Sequence, residues 1–546
     1  MLTMPAAADC KAAPPKLEEV VTPSGVTLPR CRVCRGYGAG LIHANGMCAH
    51  CGRTHKDVGK MSADLVEWLR ATGSTVDGIS VGESAIPGGG QGLVRASKRP
   101  MSWWLKPWGG EEVVAEFPKP EAIALESIIE HPTLGKVFWD LVEKKEVRDD
   151  QLPLLFLLVE RARGGESPWA EYMAMLPKDF TTPIHLPVEV QFQLRGTTLH
   201  AATQSKIKGL RKDYDAAKPA LERLLKEAGI AEDKLPTYDD YAWAFSAFTS
   251  RAIGIPMPNP HAGPGATIDD CPHVSTLVPG LDMANHKRGA PCRWAVAGVP
   301  GGVSGSDDKV YLLCNKGWRA PKQGGEIFIS YGDDKSNEEL LFLHGFVDEA
   351  SGGRYEKLMV HCSLPEPSEW DEAIVMRVTA LKDLDLSPKW FFSRAGLDAA
   401  KKSGKRAPAA AGLPPRCLEA AAVLAMRKVQ LEAARADAIE ANEGAAEGAE
   451  VQVMDPLADI RAQVQGLDLI EQLLAMKVAE MEAGTGTAAA DAELLKRGGA
   501  AMTPAMRAIV VYRRDQKQLG RDWLEHVRAL LARTAKEAGL DELVHA

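Results

Sequence analysis

The sequence predicts an α+β protein: a β-rich part split by a helical insert, an all-α region after it, and a small zinc module near the N-terminus. Three observations carry that reading. Short apolar stretches separated by glycine and proline lie at 79–81, 93–94 and 113–114 and return at 294–296, 310–313 and 326–330, as strands joined by turns do. Apolar residues at three- and four-residue spacing mark 120–250 and most of the chain after 350 as amphipathic helices. Two Cys-x-x-Cys pairs stand close together ahead of both.

Composition bounds the rest. A chain of 546 residues exceeds one core, so two to four domains are expected. With 45% apolar and 25% charged residues it reads as an ordinary folded protein, and a net charge of -8 gives no global attraction to nucleic acid or anionic lipid. The apolar run Leu154–Val159 is far short of the roughly 20 residues a membrane span needs and reads as a core helix. Residues 1–30 lack the apolar stretch of a secretory signal, and Asp9, Glu18 and Glu19 fit poorly with an acid-poor transit peptide. An intracellular protein of the chloroplast stroma or the cytoplasm is expected.

In chain order, 1–30 reads as a loose leader and 31–57 as the zinc module. From Ser62, ADLVEWLRATG places Leu65, Trp68 and Leu69 on one helical face and stops at Gly73. The β-rich domain is expected over 62–347 with its helical insert at about 120–250, including PLLFLLVERAR and YAWAFSAFTSRAI. The segment 256–276 reads as an inserted loop. The helical domain follows over 355–546, with helices at 417–442, 456–482 and 504–538 and linkers near 400–415, 443–452 and 483–502.

Cys31, Cys34, Cys48 and Cys51 form two knuckles separated by 13 residues, with Gly36, Gly38, Gly46 and Gly52 beside them. Four thiolates suit tetrahedral Zn²⁺, which replaces a core that about 25 residues cannot assemble. The stretch CRVCRGYG resembles one Cys-x-x-Cys-x-Gly-x-Gly repeat of the DnaJ cysteine-rich domain, implying a protein-contact module. Its basic residues read as a solvated surface, and nucleic acid is not the expected partner.

Six further segments carry a larger resemblance. Gly88-Gly89-Gly90-Gln91-Gly92-Leu93-Val94 is a glycine turn entering a strand. LLFLLVERARGGESPWAEYMAMLP and YAWAFSAFTSRAI follow, then Leu277-Val278-Pro279-Gly280-Leu281-Asp282-Met283-Ala284-Asn285-His286. Last come Gly325-Glu326-Ile327-Phe328-Ile329-Ser330-Tyr331-Gly332 and Gly345-Phe346-Val347. In that order they resemble the SET-domain methyltransferases of the Rubisco large-subunit lysine methyltransferase class. AMRAIVVYRRDQKQLGRDWLEHV is similar to the substrate-binding helical domain of the same class.

The resemblance implies a pseudoknotted SET fold and methyl transfer from S-adenosylmethionine to a side-chain nitrogen of a protein, lysine first. It implies cofactor contacts from Gly90, Gln91, Gly92, Asn285, His286 and Tyr331, and substrate contacts from Arg251 and Asp282. Tyr331 and His344 are the expected catalytic pair, in a monomer whose C-terminal helical domain holds the protein substrate. His344 departs from the family, whose lysine-methylating members usually carry a tyrosine there. The alternatives are histidine N-methylation, a catalytically silent SET scaffold that binds protein, and a DnaJ-like assembly factor in which the zinc module is primary.

Overall fold

The computed structural model describes residues 19–21, 27–29 and 55–540, apart from 87–88, 99–109, 260, 262, 264, 317–319, 404–411, 444–453 and 499–501. Cys31, Cys34, Cys48 and Cys51 fall outside the described residues, and so does the zinc expectation that rests on them. Among the described residues no group of three or more His, Cys, Asp or Glu side chains could hold a metal ion. No helix among them is long and apolar enough to cross a membrane.

The first helix, His55–Ala71, starts seven residues before the expected one and runs to the expected stop at Gly73, whose φ of +90° is glycine's province. The β part then forms around two sheets. Ile79–Glu83 pairs antiparallel with Gln91–Arg95, which pairs antiparallel with Glu326–Ile329, and that strand runs parallel to the two-residue strand Asn285–His286. Glu111–Pro118, Lys309–Asn315 and Cys292–Val296 make the second, with Lys309–Asn315 in the middle. Each expected strand is present, five of them two to six residues longer than expected and the last, Glu326–Ile329, one residue shorter, because alternation with turn residues at both ends is a local signal.

The segment from Lys119 to Thr249 is helical, and its longest helix, Thr198–Glu227, lies within the stretch whose spacing marks it as amphipathic helices. Leu152–Arg163 begins with Pro153 in its first turn and ends at Gly164 with φ +60°, and every residue from Leu152 to Glu160 is buried. Burying such side chains contributes roughly 1.5–3 kcal/mol each, so this helix anchors the first core, which it shares with Leu93, Ile327 and Ile329 of the strands. The 256–276 segment is less of a loop than expected: its ends, Ile253–Pro256 and His273–Thr276, close as an antiparallel hairpin.

The C-terminal region is not all-α. Lys357–His361 and Lys389–Ser393 form an antiparallel pair whose inward residues Leu358, Val360, Trp390 and Phe392 are buried. Their two-residue alternation is a strand signal that the longer helical runs masked. The expected 417–442 helix breaks at Met426, giving Cys417–Ala425 and Lys428–Glu443, while the 483–502 linker contains a helix, Ala488–Gly498. Ile460–Glu482 and Pro504–Glu537 are as expected. A second core lies among these elements, and a third joins Leu186, Leu194 and Leu199 of the insert to Ile509 and Tyr512 of the last helix.

Candidate active site

The glycine turn closes the Ile79–Glu83/Gln91–Arg95 hairpin, with Gly82 opposite Gly92 and Glu83 opposite Gln91. Gly90 has φ +67°, a value open to glycine at no cost, and a Cβ there would meet nothing within 4 Å. Gly92 is required for a different reason: a Cβ would lie 2.3 Å from Oε1 of Glu326 and 3.0 Å from Nδ2 of Asn285.

Glu326 gathers the turn. Its carboxylate accepts from Ser84 Oγ at 2.8 Å, from the amide of Ala85 at 2.6 Å and from Asn285 Nδ2 at 2.9 Å. Asn285 Nδ2 also donates to the carbonyl of Gln91 at 3.0 Å. Both partners can only accept, so the amide orientation is fixed, and Oδ1 has no protein partner among the described residues. The sequence pattern alone assigns Glu326 no role. Its partners lie 41 and 242 residues away, so no local pattern could have signalled it.

His286 joins this cluster to Tyr331. Its Nδ1 accepts from the Tyr331 amide at 2.9 Å, which leaves the ring proton on Nε2, a buried donor with no protein partner. The buried Oε1 of Gln91 is likewise without one. These unsatisfied atoms flank the glycine turn and the Asn285–His286 strand, and they fit a polar occupant there. Burial, then the neighbouring Arg288, hold the His286 pKa below its usual value.

Tyr331 and His344 stand at a cavity of about 500 Å³ whose wall also includes Arg251, Asp282, Ala284 and Trp294. Their rings are 4.7 Å apart between centroids, and Phe346 contacts both. The Tyr331 hydroxyl donates to the carbonyl of Ala284 at 2.8 Å, and burial pushes its pKa up to about 12, so it stays protonated at neutral pH. His344 lies in the last turn of Asn337–His344, a helix opened by the Ser336–Glu339 capping box and closed by Gly345 at φ +79°. Its Nδ1 is 3.0 Å from the carbonyl of Ser250, which can only accept, so Nδ1 carries the proton. Burial lowers its pKa to about 4. The ring is therefore neutral near pH 7, with Nε2 an acceptor.

Arg251 donates from Nη1 to Asp282 Oδ2 at 3.1 Å and to its carbonyl at 3.0 Å. Asp282 also accepts from the Tyr172 hydroxyl at 2.9 Å and the Gly280 amide at 3.0 Å. With both oxygens engaged inside the protein, Asp282 can set the position of Arg251 but presents no free carboxylate. Of the residues singled out in the sequence, Arg251, Asp282, Tyr331 and His344 line the cavity. Gly90, Gln91, Gly92, Asn285 and His286 do not; they adjoin it through Ala284, which does, and through the His286–Tyr331 bond.

No protein-family model matches the chain. It is 25% identical over 287 residues to the actin-histidine N-methyltransferase of Danio rerio, covering 53% of this chain and 42% of that protein. It is 27% identical over 268 residues to the chloroplastic Rubisco large-subunit N-methyltransferase of Pisum sativum, 48% of each. To the chloroplastic fructose-bisphosphate aldolase-lysine N-methyltransferase of Arabidopsis thaliana it is 28% identical over 291 residues, 52% of this chain and 51% of that one. The chain thus spans about half the length of these curated relatives. Among solved structures, the SET domain of LSMT bound to lysine and AdoHcy superimposes with a TM-score of 0.62 at 18% identity, over 89% of this chain and 93% of that one. Rubisco LSMT bound to AdoMet gives 0.57. Helical insert, paired sheets and helical C-terminal region together have the SET-domain fold of those structures.

Proposed function

We propose that this chain is an S-adenosylmethionine-dependent protein methyltransferase acting on a side-chain nitrogen, lysine first. The observation that carries the reading is the continuous linkage from the glycine turn through Glu326, Asn285 and His286 to Tyr331 at the cavity. The backbone of Gly90, Gln91 and Gly92 with Asn285 and His286 would hold the cofactor, whose sulfonium supplies an electrophilic methyl group. The protein's part is alignment and desolvation. Presenting a neutral lysine amine near pH 7.5 costs about 4 kcal/mol from its pKa of about 10.4, and an apolar channel that disfavours the ammonium lowers that cost.

The proton inventory supports an amine over an imidazole. Tyr331 spends its one proton on Ala284, and His344 spends its ring proton on Ser250. The pair therefore offers two acceptors and no donor. A primary amine has two N–H bonds to give them and a lone pair left for attack, whereas the attacking nitrogen of an imidazole carries no proton and would face two lone pairs. The second reading, transfer to histidine, draws on the actin-histidine N-methyltransferases among the relatives.

The protein substrate would dock on the C-terminal helical domain of a monomer, in the stroma or the cytoplasm; the chloroplastic names of the two plant relatives favour the stroma. Zn²⁺ on Cys31, Cys34, Cys48 and Cys51 rests on their spacing. It predicts about one metal ion per chain by elemental analysis, lost in Cys34→Ser. To test the activity, the purified chain is incubated with methyl-labelled S-adenosylmethionine and a cell lysate, and labelled protein is hydrolysed to amino acids. Label in methyllysine supports the reading, label in methylhistidine supports the second, and cofactor binding without transfer leaves the silent scaffold.

A further inference from the structure

Cys292 and Cys314 face each other across the second sheet, at the last paired position of the edge strand Cys292–Val296. One step outward, the Asn315 amide donates to the carbonyl of Pro291 at 2.8 Å. That makes 315/291 a hydrogen-bonded position and, by alternation, 292/314 a non-hydrogen-bonded one, where opposed side chains come closest, about 4.5 Å between Cα atoms. Such a separation lies within the roughly 4.4–6.8 Å that a disulfide spans. The two sulfurs are 2.7 Å apart, and the residues are 2% and 0% exposed. Closing a bond between them needs side-chain rotation and little movement of the backbone. Nothing in the proposed methyl transfer uses either thiol.

We propose that Cys292 and Cys314 are an oxidisable dithiol, a modification site that closes to a cross-strand disulfide by exchange with a small disulfide of the glutathione class. The thiolate of one cysteine attacks the small disulfide, forming a mixed disulfide and expelling one small thiolate. The second cysteine attacks the first cysteine's sulfur, forming the cross-strand S–S bond and expelling the other small thiolate. The two protein protons end on the two small thiols, and the protein loses the two electrons that the co-reactant gains.

The hydrogen bond with Cys314, then burial, hold the Cys292 thiol far above its usual pKa, with Arg95 acting in the opposite direction. Exchange therefore waits on opening of the strand end. An edge strand at the limit of its ladder is where a sheet opens at least cost. Two residues along, Trp294 lines the cavity, so the staple would stiffen the strand that supplies part of its wall.

The test uses the folded full-length chain with glutathione disulfide as probe, just below the melting midpoint. It is followed by denaturation, alkylation with iodoacetamide and peptide mapping without reductant. The expected result is a 292–314 linked peptide two hydrogens lighter, loss of alkylation at both positions, and a raised Tm that dithiothreitol reverses. Cys314→Ala should show no such rise. Should that variant fail to fold, Cys292→Ser serves the same purpose, and the linked peptide from the unaltered chain stands without either. Persistent alkylation of both residues, glutathione adducts that never resolve, or linkage to Cys271 instead would overturn the assignment.

Discussion

Two buried aspartates face the same desolvation cost and meet it differently. Asp491, 1% exposed between the C-terminal helices, accepts from Arg513 at 2.6 and 2.9 Å and from Lys517 at 2.7 Å, and Lys517 also donates to Thr485. Two cations enclose one carboxylate, sealed from solvent. Asp282, equally buried, has one cation, Arg251, which is 19% exposed and lines the cavity. Around it, His286 Nε2 has no protein partner, and Nε and Nη2 of Arg251 make no hydrogen bond among the described residues. The sealed cluster spends its polar capacity on holding helices together, whereas the open one keeps some in reserve. That contrast separates a structural ion cluster from a site more clearly than burial does, since burial is the same in both.

Five substitutions test the comparison. Tyr331→Phe removes a hydroxyl at the open cluster, and turnover should fall about a hundredfold or more while affinity for S-adenosylhomocysteine holds; equal turnover would remove the residue from the chemistry. Lys517→Met strikes the sealed cluster, and it should cost about 3 kcal/mol in denaturant unfolding, since removing one partner strands the rest of a buried pair. Transfer per folded molecule should be unchanged. Gly92→Ala puts a methyl where Glu326 stands, and a cost of about 1–3 kcal/mol from overpacking should appear as about a tenfold loss of cofactor affinity with a modest fall in Tm.

The smallest effects are in pH. Glu356, buried against Asn337 and Gln516, has its pKa raised to about 7 by burial. Its folded value lies above the unfolded one, so its contribution to stability is complete below about 4.5 and is lost as pH rises to about 7. His344, depressed to about 4 by burial, has the opposite sign: its contribution is present above about 6.5 and is lost as pH falls to about 4. Glu356→Gln should therefore make stability rise more with pH across that window, and His344→Phe should make it rise less. Urea midpoints at a series of pH values would read both signs.

Much of the site was legible because its motifs are local. The glycine turn, the Asn285–His286 pair and the Tyr331 segment each announce a turn or strand end, and the fold brings them together through two ladders. What escaped was contributed by backbone or by distance. The carbonyls of Ala284 and Ser250, which fix the proton positions on Tyr331 and His344, carry no residue signature, because any amino acid supplies a carbonyl. Glu326 looked like an ordinary strand residue until the Ser84–Ala85 turn closed over it. Asp282 was expected to meet the substrate, and its partners Tyr172 and Gly280 were invisible to a reading that judges carboxylates by type. In the C-terminal region, long helical runs dominated the pattern and hid the five-residue strands Lys357–His361 and Lys389–Ser393.

The central claim is that one continuous site runs from the glycine turn to the Tyr331 cavity. A crystal structure of the chain with S-adenosylhomocysteine and free lysine tests it most directly. The account predicts the amino-acid end of the cofactor product against Asn285 and residues 90–92, its sulfur directed toward the Tyr331 hydroxyl, and the lysine amine between Tyr331 and His344. Ligand density on any other surface, with the glycine turn and cavity both empty, would contradict it.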